Sequence, residues 1–393
     1  MLKILGIKID NLSYSEALVQ AGKMLFSGQP NYIVTPNPEI ILAAARGNEE
    51  LFYILNQAQL SLPDGFGLKI AAALIRQKLT RITGADFSKD LLSLAEEKKI
   101  KTLIVNYKDG FSNRDEIAKV LKDKYSNLDF LVLDGDKSGQ ELDWLKINEY
   151  KPVLVFCTFG QIQQEKFIFQ ATKKIPSLRL GIGVGGTFDF LTKKRKRASK
   201  IFRILGLEWF WRLLIQPNRF KRIVINAVFL FSWEIFLWRF IHPFQYRKNV
   251  AAFIYRQKDK NDDYEILVLS RHDPKSDNHW QLPQGGTDGA TLEKAARKEV
   301  AEETGITKLE KTKICKIGYI YNNRYETLAG YKGQKQDLVI FKFLDEDKNI
   351  AVNYWEHKAW QWVDAKKLIE TLHPYRQEAG KIYLQKFWEL VNK

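Results

Sequence analysis

The fold of the first half of this chain is decided by three apolar runs, KTLIVNY (residues 101–107), NLDFLVLDG (127–135) and KPVLVFCTFG (151–160). Each run has the length of a strand, and the segments between the runs place their apolar residues at helical spacing. NYIVTPNPE (31–39) and LRLGIGVGG (178–186) continue the pattern on either side. Strands that alternate with helices predict an α/β domain built on a largely parallel sheet.

A ligand is expected at the ends of these strands, because ligands of open α/β sheets bind beyond the carboxyl ends of the strands. Three Gly/Pro/Asp-rich pieces lie at such ends: TPNPE (35–39), PDGFG (63–67) and RITGAD (81–86). Asp64 stands between Pro and Gly at a predicted loop apex, which suits a base that is exposed to substrate. Arg81 suits a diphosphate, because a guanidinium binds phosphate in a bidentate manner. Each piece taken alone also fits a simple turn.

The last predicted strand ends in a Gly-rich run, GIGVGG (181–186). A dinucleotide fingerprint requires G-x-G-x-x-G after an early strand, with an acidic residue about 20 positions later. Here the Gly-rich run comes late and a basic run follows it. A Rossmann dehydrogenase is therefore disfavoured.

The excess of positive charge is concentrated in one segment. The 393 residues carry a net charge of +16, and residues 193–222 contain eleven Lys or Arg against Glu208 alone, a net +10. The aromatic triplet WFW (209–211) lies inside this segment, and the apolar stretch IVINAVFLFSWEIFLWRFI (223–241) follows it. Basic and aromatic residues joined to an apolar helix favour an anionic lipid surface. Nucleic acid is the less favoured partner, although the same residue types bind phosphate backbones.

The apolar stretch approaches the roughly 20 residues that a membrane span requires. It also contains Glu234 and Arg239, and a charge near the middle of a span is unfavourable by about 2.5–3.5 kcal/mol. We therefore predict that residues 193–247 form a basic amphipathic appendage that lies on the membrane surface. A buried helix and a true span remain the alternatives.

Length and residue usage narrow the remaining possibilities. A chain of this length with 45% hydrophobic residues predicts two or three domains with substantial cores and excludes a disordered protein. Cys157 and Cys315 have no His or Cys partner at metal-ligand spacing, so neither a disulfide nor a structural zinc site is expected, and a reducing compartment fits. The opening MLKILGIKIDNLS turns polar within a few residues, so we expect no secretory leader.

A different pattern begins after His242-Pro243. NVAAFIYRQ (249–257) and YEILVLSRH (264–272) predict a hairpin, and a Gly-rich loop, a charged helix, further strands and a final helix follow. We predict a separate α+β domain over residues 248–393. The preceding α/β domain is assigned residues 1–192.

Three carboxylates on the charged helix of WQLPQGGTDGATLEKAARKEVAEETGI (280–306) point to a divalent cation. Glu299, Glu302 and Glu303 stand at i, i+3 and i+4, which places them on one helix face. Like charges at that spacing repel each other without a cation, and Mg²⁺ prefers such oxygen ligands. Gly305 is predicted to end the helix, and the Gly-Gly pair before the helix lets the loop approach a ligand closely. For three glutamates alone, a solvated acidic face is the alternative.

This segment resembles the Nudix box, G-x5-E-x7-R-E-U-x-E-E-x-G-U with U apolar, through residues 299–306. Two positions depart from the pattern. Lys298 replaces the box Arg, and the first box Glu falls on Ala290 after a loop that is two residues short. The resemblance implies an α/β/α sandwich and Mg²⁺-assisted attack of water on a phosphoanhydride of a nucleoside diphosphate derivative.

The resemblance also implies roles for the carboxylates. Glu299, Glu302 and Glu303 would hold the metal, with Glu299 and Glu302 acting in catalysis. Downstream, YKGQKQDLVIFKF (331–343) and the segment that begins at Glu356 resemble the subgroup that hydrolyses dinucleoside polyphosphates or 5′-triphosphate RNA ends. Glu356 is a candidate further metal ligand or base, and a surface loop residue is its alternative interpretation.

Residues 1 to about 240 resemble the WecG/TagA/CpsF glycosyltransferases, glycosyltransferase family 26, through seven ordered motifs. The motifs are TPNPE, PDGFG, RITGAD, Gln164-Glu165, GVGGTFDF (183–190), Arg197-Ala198, and Leu207-Glu208-Trp209 continuing to Arg212, Pro217, Arg219 and Arg222. The resemblance implies a Rossmann-like core that transfers an N-acetylhexosamine, typically N-acetylmannosamine from its UDP donor, to a polyprenyl-diphosphate-linked N-acetylglucosamine. It also implies inversion, no metal requirement, and a location on the inner face of the cytoplasmic membrane. Two departures concern the missing Pro shortly before Gln164 and the Ser199-Lys200 pair, where the family usually has Pro and an aromatic residue.

Carried over position by position, the resemblance makes Asp64 the general base that deprotonates the acceptor hydroxyl. Arg212, Arg219 and Arg222 would stabilise the developing UDP diphosphate, because metal-free catalysis needs fixed cations at the leaving group. Binding of lipid headgroups is the alternative for these arginines. The other candidate substrate-binding residues are Thr35, Asn37, Arg81, Asp86 and Gln164.

The sequence thus predicts a bifunctional enzyme, a glycosyltransferase fused to a Nudix hydrolase, in bacterial cell-envelope polysaccharide or teichoic acid synthesis. We expect it in the cytoplasm, peripheral on the inner face of the membrane. One alternative makes the second domain a nucleotide-binding regulatory module in which Ala290 marks lost catalysis. Another treats the chain as an RNA-processing enzyme whose basic segment binds RNA.

Overall fold

The computed structural model describes residues 2–199, 202, 210–211, 221–258, 263–272, 279–321 and 330–392. The chain divides into two compact units, Met1–Arg239 and Phe240–Lys393. The division falls inside the segment that was predicted as the appendage, residues 193–247.

The first unit is built on a six-stranded sheet in the order β4-β3-β8-β7-β5-β6, in which all neighbouring strands are parallel. A separate antiparallel pair, β1 and β2, opens the chain. The five runs predicted as strands form β3 and β5 to β8, so the predicted parallel-sheet α/β fold is confirmed. The strands are β1 (Leu2–Ile4), β2 (Ile7–Ile9), β3 (Asn31–Val34), β4 (Leu60–Ser61), β5 (Thr102–Tyr107), β6 (Phe130–Gly135), β7 (Leu154–Cys157) and β8 (Leu180–Gly183).

Helices connect these strands, and several begin at a side-chain cap. Asn37 lies three residues after the end of β3 and caps the next helix by accepting a hydrogen bond from the Ile40 amide, and Pro38 follows at the first helical position. The TPNPE motif is therefore a strand end joined directly to a helix start. The helices are α1 (Tyr14–Leu25), α2 (Pro38–Ala45), α3 (Glu49–Gln57), α4 (Phe66–Leu74), α5 (Gly84–Glu97), α6 (Arg114–Lys124), α7 (Trp144–Tyr150), α8 (Gln163–Lys174) and α9 (Thr187–Leu191).

The apolar stretch after the basic run is helical and packs on the first unit. Helix α10 (Phe231–Phe236) is flanked by π-helical segments, Lys221–Leu230 and Leu237–Ile241. Phe231 and Ile235 are buried, and α10 contacts α2 and α4. Among the described residues, no helix combines the length and the apolar character that crossing a bilayer would take.

The second unit contains a seven-stranded mixed sheet with helices on both faces. Its main strand order is β11-β10-β9-β14-β13, while β12 also pairs with β9 and β15 with β10. The predicted hairpin is confirmed, because β9 and β10 pair in antiparallel fashion from Tyr264 opposite Gln257. The strands are β9 (Tyr246–Gln257), β10 (Tyr264–Arg271), β11 (Trp280–Gln281), β12 (Gln284–Gly286), β13 (Leu309–Tyr321), β14 (Gly333–Phe343) and β15 (His357–Asp364), and the helices are α11 (Leu292–Thr304), α12 (Leu368–Thr371) and α13 (Pro374–Val391).

Alternating side chains of β9 pack into two separate hydrophobic cores, one on each face of the sheet. Phe253 and Tyr255 belong to the cluster that contains α13, and Val250 and Ile254 belong to the cluster that contains α11. The second unit is thus the predicted α+β domain, with the layers of an α/β/α sandwich.

Both cysteines are buried free thiols, Cys157 in the first unit and Cys315 in the second. This agrees with the expectation from the sequence that they form no disulfide.

Candidate active sites of the two units

A cavity of about 890 Å³ opens at the carboxyl ends of the parallel strands in the first unit. Its volume suits a ligand of the size of a nucleotide or a sugar nucleotide. Every strand-end segment of the central sheet region contributes to the wall. The wall includes Thr35 and Asn37 after β3, Asp64 after β4, Asn106 and Tyr107 from β5, Thr158 after β7, and Val184, Gly185, Gly186 and Thr187 after β8.

Asp64 lies where three of the sequence motifs meet. Its backbone amide donates to the Pro36 carbonyl at 2.9 Å, and its carboxylate accepts from the Gly84 amide at 3.3 Å. Arg81 Nε lies 4.0 Å from the Asp64 carboxylate, whose side chain is 31% exposed. TPNPE, PDGFG and RITGAD therefore converge on one carboxylate that remains open to the cavity.

Gly65 allows this convergence. Its φ is +130°, and a Cβ at this position would lie 2.9 Å from Pro38 Cδ. The loop that carries Asp64 therefore needs a glycine both for its backbone angle and for its close approach to the TPNPE segment.

Gln164 also lines the cavity and holds the Gly-rich loop after β8. Its Oε1 accepts from the Gly185 amide at 2.9 Å, and its Nε2 donates to Glu165 at 2.8 Å. Glu165 accepts a further hydrogen bond from the Ile162 amide at 2.6 Å. Burial raises the pKa of Glu165 to about 6, although these hydrogen bonds oppose the shift. Glu165 is thus a buried support for Gln164, and the sequence analysis had given it no role.

Asp86 and Arg81 lie beside the cavity, outside the part of its wall that the described residues form. The carboxylate of Asp86 binds Arg197 through two hydrogen bonds of 2.5 and 2.6 Å, and it also accepts from Thr83 Oγ1 at 2.7 Å. The Asp86 side chain therefore joins the start of α5 to the basic segment. This contact differs from the substrate contact that the sequence resemblance implied.

Four cations in the wall were missed as site residues by the sequence analysis: Lys137, Lys194, Arg195 and Lys196. The last three lie at the start of the basic run, in which the sequence analysis had singled out only Arg212, Arg219 and Arg222 as substrate contacts. The guanidinium of Arg195 stacks on Phe111, with 4.1 Å between its Cζ and the ring centroid. The cations predicted for the leaving group, Arg212 and Arg219, lie outside the described residues, as does the side chain of Arg222.

Asn106 and Thr158 were missed as well. Thr158 Oγ1 donates to Asn106 Oδ1 at 3.1 Å and accepts from the Tyr107 amide at 2.9 Å. Asn106 also donates to Asp134 at 2.8 Å. Their only signal in the sequence is a polar residue at the end of an apolar run.

In the second unit, the acidic helix α11 directs two carboxylates inward. Glu299 and Glu303 are buried, whereas Glu302 is exposed and lies 3.5 Å from Lys298 Nζ. The Gln284 amide donates to Glu303 at 3.1 Å. The predicted grouping of three glutamates thus separates into a buried pair and one outward carboxylate, because residues i and i+4 here point to the sheet while i+3 points to solvent. Gly305 ends the helix at φ 74°, as predicted.

Gly285 gives the loop room to pass the acidic helix. A Cβ on Gly285 would lie 2.0 Å from Glu299 Cδ, so only glycine fits beside this carboxylate. The Gly-rich loop therefore makes the close approach that the sequence predicted, and the group that it approaches is Glu299.

Glu356 joins the buried carboxylates although it is far away in sequence. Asn353 connects the two regions, because its amide donates to the Glu303 carbonyl at 3.1 Å and its Oδ1 accepts from the Glu356 amide at 3.0 Å. Donor atoms of Glu303, Glu356 and His357 lie within 4.8 Å of one another. Two carboxylates and an imidazole at this spacing fit a divalent cation, and carboxylate oxygens suit Mg²⁺.

His357 is the member of this group that the sequence analysis missed. Its side chain is fully buried, and its Nε2 lies 3.8 Å from Glu303 Oε1. Burial lowers the pKa of His357 to about 4, so its ring is neutral at physiological pH.

Comparison with known proteins agrees with this division. The Glycosyl transferase WecG/TagA/CpsF family matches residues 2–243, and the NUDIX domain matches residues 245–385. An N-acetylglucosaminyldiphosphoundecaprenol N-acetyl-beta-D-mannosaminyltransferase of Bacillus subtilis (strain 168) is 34% identical over 197 residues, which cover 49% of this chain and 74% of the relative. The protein of the same name from Staphylococcus aureus (strain MRSA252) is 29% identical over 234 residues, which cover 58% of this chain and 90% of the relative.

Among solved structures, a C. elegans Ap4A hydrolase in a binary complex is 25% identical, with a TM-score of 0.29, and the match covers 37% of this chain and 98% of the hydrolase. The two family matches fall on the two units described above, with the parallel-sheet cavity in the first and the acidic helix in the second. This chain belongs to the WecG/TagA/CpsF glycosyltransferase family and carries a NUDIX hydrolase domain in its second half.

Proposed function

We propose that the first unit transfers an N-acetylmannosaminyl group from a UDP donor to a polyprenyl-diphosphate-linked N-acetylglucosamine in cell-envelope polysaccharide or teichoic acid synthesis. The observation that carries this proposal is the convergence of three motif segments on Asp64 at an open cavity. The names of the two relatives, which specify the N-acetylmannosaminyl group and the lipid-linked acceptor, support the same reaction.

In this reaction, Asp64 acts as the general base. As the acceptor hydroxyl oxygen attacks the anomeric carbon, its proton passes to the Asp64 carboxylate, and the bond from the anomeric carbon to the phosphate oxygen of UDP breaks. One displacement of this kind inverts the anomeric configuration. Thr35, Asn37 and Gln164 line the cavity and bind donor or acceptor, while Arg81 and Asp86 are proposed substrate contacts that would have to compete with their present partners.

The leaving diphosphate needs positive charge at the cavity. Lys137, Lys194, Arg195 and Lys196 lie in its wall and stabilise the charge that develops on UDP. We retain Arg212, Arg219 and Arg222 as proposed contributors from the basic segment. Fixed cations at the leaving group are what a transferase that works without a metal requires.

We also propose that the first unit binds the membrane surface through α4 and the helical segment around α10. The two helices contact each other. Gly67 of α4 lies beside Phe231 of α10, since a Cβ added at Gly67 would be 3.6 Å from the Phe231 ring. Both present exposed apolar side chains, each more than a third exposed, at helical spacing. These are Phe66, Ile70 and Leu74 on α4, and Ile225, Phe229, Trp233 and Phe236 on the helical segment.

Charge near these side chains favours anionic lipid. Lys69, Arg76 and Lys78 accompany the apolar residues of α4, and residues 65–81 contain no Asp or Glu. An amphipathic surface with exposed aromatic residues and lysines adsorbs to an anionic bilayer through apolar burial and attraction to headgroups. We propose a peripheral location on the inner face of the membrane, where a polyprenyl-linked acceptor is available.

For the second unit, we propose Mg²⁺-dependent hydrolysis of a phosphoanhydride in a nucleoside diphosphate derivative. Glu299, Glu303 and Glu356 would hold the ion, and Glu302 lies at the rim as a further candidate ligand or catalytic group. When bound, the ion neutralises phosphate charge and makes a coordinated water more acidic. Gln284 and Gly285 hold the buried carboxylates in place through one hydrogen bond and one close contact.

The transferase is tested by incubating the full-length protein with UDP-N-acetylmannosamine and a short-chain lipid diphosphate N-acetylglucosamine, and by following products with mass spectrometry. We expect acceptor-dependent UDP release and a disaccharide-lipid, both reduced at least a hundredfold in Asp64→Asn. Exposed Asp90→Asn would be the matched control. No disaccharide from the wild-type protein would contradict the proposed donor or acceptor.

The hydrolase is tested with a panel of nucleoside diphosphate derivatives and dinucleoside polyphosphates in the presence of Mg²⁺. We expect hydrolysis of at least one compound and its loss in Glu303→Gln. A folded wild-type protein that binds nucleotides and hydrolyses none of them would favour the regulatory module instead.

A further inference from the structure

The clearest feature that the proposed hydrolase leaves unexplained is the imidazole of His357. It is fully buried, and among the described residues neither ring nitrogen has a hydrogen-bond partner. A neutral imidazole carries one N–H donor and one lone pair, and leaving both unused in the interior is unfavourable. His357 Nε2 lies 3.8 Å from Glu303 Oε1, beyond hydrogen-bond distance.

We propose that His357 is a direct ligand of the divalent cation, together with Glu303 and Glu356. This inference rests on the proposed hydrolase function and extends it from an all-oxygen site to a mixed nitrogen and oxygen site. Donor atoms of the three residues already lie within 4.8 Å of one another.

The distance between His357 and Glu303 suits shared ligation. Two ligands that each lie about 2.1 Å from one ion stand about 3.0 Å apart at a right angle and about 4.2 Å apart when opposite. The observed separation of 3.8 Å falls between these limits. An ion between the two atoms would use the imidazole lone pair and balance the charge of the carboxylates.

The backbone explains why these three residues are held together. The His357 amide donates to the Asn353 carbonyl at 3.1 Å, and the Asn353 amide donates to the Glu303 carbonyl at 3.1 Å. The loop before β15 is thus hydrogen-bonded to the end of α11, and the two neighbouring residues Glu356 and His357 are both brought to the acidic helix. Preorganisation of this kind lowers the reorganisation that metal binding requires.

A nitrogen ligand changes which metal the site prefers. Mg²⁺ favours oxygen ligands, whereas imidazole suits first-row transition ions such as Mn²⁺, Co²⁺ and Zn²⁺. The site is therefore expected to bind Mn²⁺ more tightly than Mg²⁺, with His357 responsible for part of the difference.

The test uses the full-length protein with Mn²⁺ as the probe. Pulsed electron paramagnetic resonance is expected to show a ¹⁴N nucleus coupled directly to the bound Mn²⁺. In His357→Gln this signal should disappear, and the Kd for Mn²⁺ should rise at least about tenfold, since even loss of an outer contact to a metal ligand weakens binding by about 10–100-fold. His279→Gln, at another histidine of the same unit, should keep both the signal and the affinity.

Comparison with Mg²⁺ separates ligation from a structural role. Calorimetric titration should show a smaller rise in the Kd for Mg²⁺ than for Mn²⁺ in His357→Gln, so the selectivity for Mn²⁺ falls. If His357 had a purely structural role, its replacement would raise the Kd for both ions by the same factor. Circular dichroism and metal-free unfolding would verify that the variant folds.

Two outcomes would overturn the inference in different ways. Bound Mn²⁺ without ¹⁴N coupling in the wild-type protein, or an unchanged Mn²⁺ affinity in His357→Gln, would show that His357 is no ligand while the proposed hydrolase stands. Absence of any Mn²⁺ or Mg²⁺ binding that depends on Glu303 would overturn the hydrolase proposal and this one together.

Discussion

Gly285 shows how strongly one residue can constrain the candidate hydrolase site. A Cβ there would lie 2.0 Å from Glu299 Cδ, so Gly285→Ala must displace either the loop or the carboxylate. We expect Mg²⁺-dependent hydrolysis to fall at least about tenfold, because a small misplacement of a catalytic group has a large effect on rate.

Transfer of the sugar should be unaffected by Gly285→Ala, which makes it an internal control. Gly28→Ala controls for the replacement of glycine by alanine itself, because a Cβ at Gly28 would have no atom within 4 Å. Hydrolysis by Gly285→Ala at the wild-type rate would contradict the tight fit between the loop and Glu299.

Glu165 makes a prediction about pH and stability. Its pKa of about 6 in the folded protein lies above the ordinary value of 4.5, because burial penalises the charged form. The folded state therefore holds the proton more strongly, and stability is lost as the pH rises from about 4.5 through about 6. The loss amounts to about 2 kcal/mol, since one pKa unit corresponds to about 1.36 kcal/mol.

Urea unfolding between pH 4.5 and 7 would measure this effect. Relative to the wild-type protein, Glu165→Gln should gain about 2 kcal/mol in the free energy of unfolding across that window. Glu97→Gln, at an exposed carboxylate, is the matched control. Parallel curves for Glu165→Gln and the wild-type protein would show that folding does not raise the pKa of Glu165.

Candidate site residues could be singled out from the sequence where a backbone signal accompanied them, and their roles stay predictions. Asp64 lies between Pro and Gly, and Glu299 and Glu303 lie between two glycine signals, so the chain itself marked these positions. His357, Asn106 and Thr158 carry no such mark, because their roles depend on which strands become neighbours. The pairing of Asp86 with Arg197 joins residues far apart in sequence and could not be read from either one.

At the scale of elements, α4 and the helical segment around α10 carry the membrane prediction. Replacing Phe229 and Trp233 with Ser removes two of the most exposed apolar side chains, and replacing Ile70 and Leu74 with Ser does the same on α4. We expect each pair to weaken binding to vesicles with about 30% anionic lipid at least tenfold, since apolar burial contributes about 25 cal/mol per Å².

Co-sedimentation with vesicles would measure this binding. Phe26→Ser with Leu145→Ser, two exposed apolar residues elsewhere in the first unit, forms the matched control. Equal vesicle binding by the α4 pair and the wild-type protein would exclude α4 from the lipid contact and leave only the later segment.

Elements with one dominant pattern were predicted correctly. The apolar runs of β5 to β8 were predicted as strands. β5, β7 and β8 are buried almost throughout, whereas β6, at the edge of the sheet, is only partly buried. The apolar stretch 223–241 left three interpretations open, because apolar content alone does not tell whether lipid or protein covers a helix. The structure shows protein on one side, at Phe231 and Ile235, and exposed apolar side chains on the other.

At the scale of the whole molecule, the activities proposed for the two units differ in their need for a metal. Chelation with EDTA should abolish hydrolysis, because the proposed mechanism needs the cation that Glu299, Glu303 and Glu356 would hold. Transfer should continue at the wild-type rate, because protein cations line the transferase cavity. Assaying both products in one reaction, before and after Mg²⁺ is restored, would measure this difference. Loss of transfer in EDTA would show that the first unit also uses a metal.

The division into two units of different fold could be predicted from the sequence, because each half carries its own strand pattern and its own motif set. The substrate of the second unit could not be predicted, because the acidic helix and the Gly-rich loop are proposed to act on the phosphoanhydride and not on the group attached to it. Recognition of that group depends on side chains brought together by folding.

The short chain distance between Asp64 and the apolar face of α4 has a consequence for kinetics. Phe66 follows Asp64 by two residues, so a helix adsorbed on lipid would hold the catalytic loop at the bilayer surface. The acceptor is then encountered by diffusion in two dimensions, and its effective concentration is its mole fraction in the bilayer. Adding inert lipid at a constant amount of acceptor would slow transfer by surface dilution, whereas adding bulk solvent at a constant UDP-donor concentration would not.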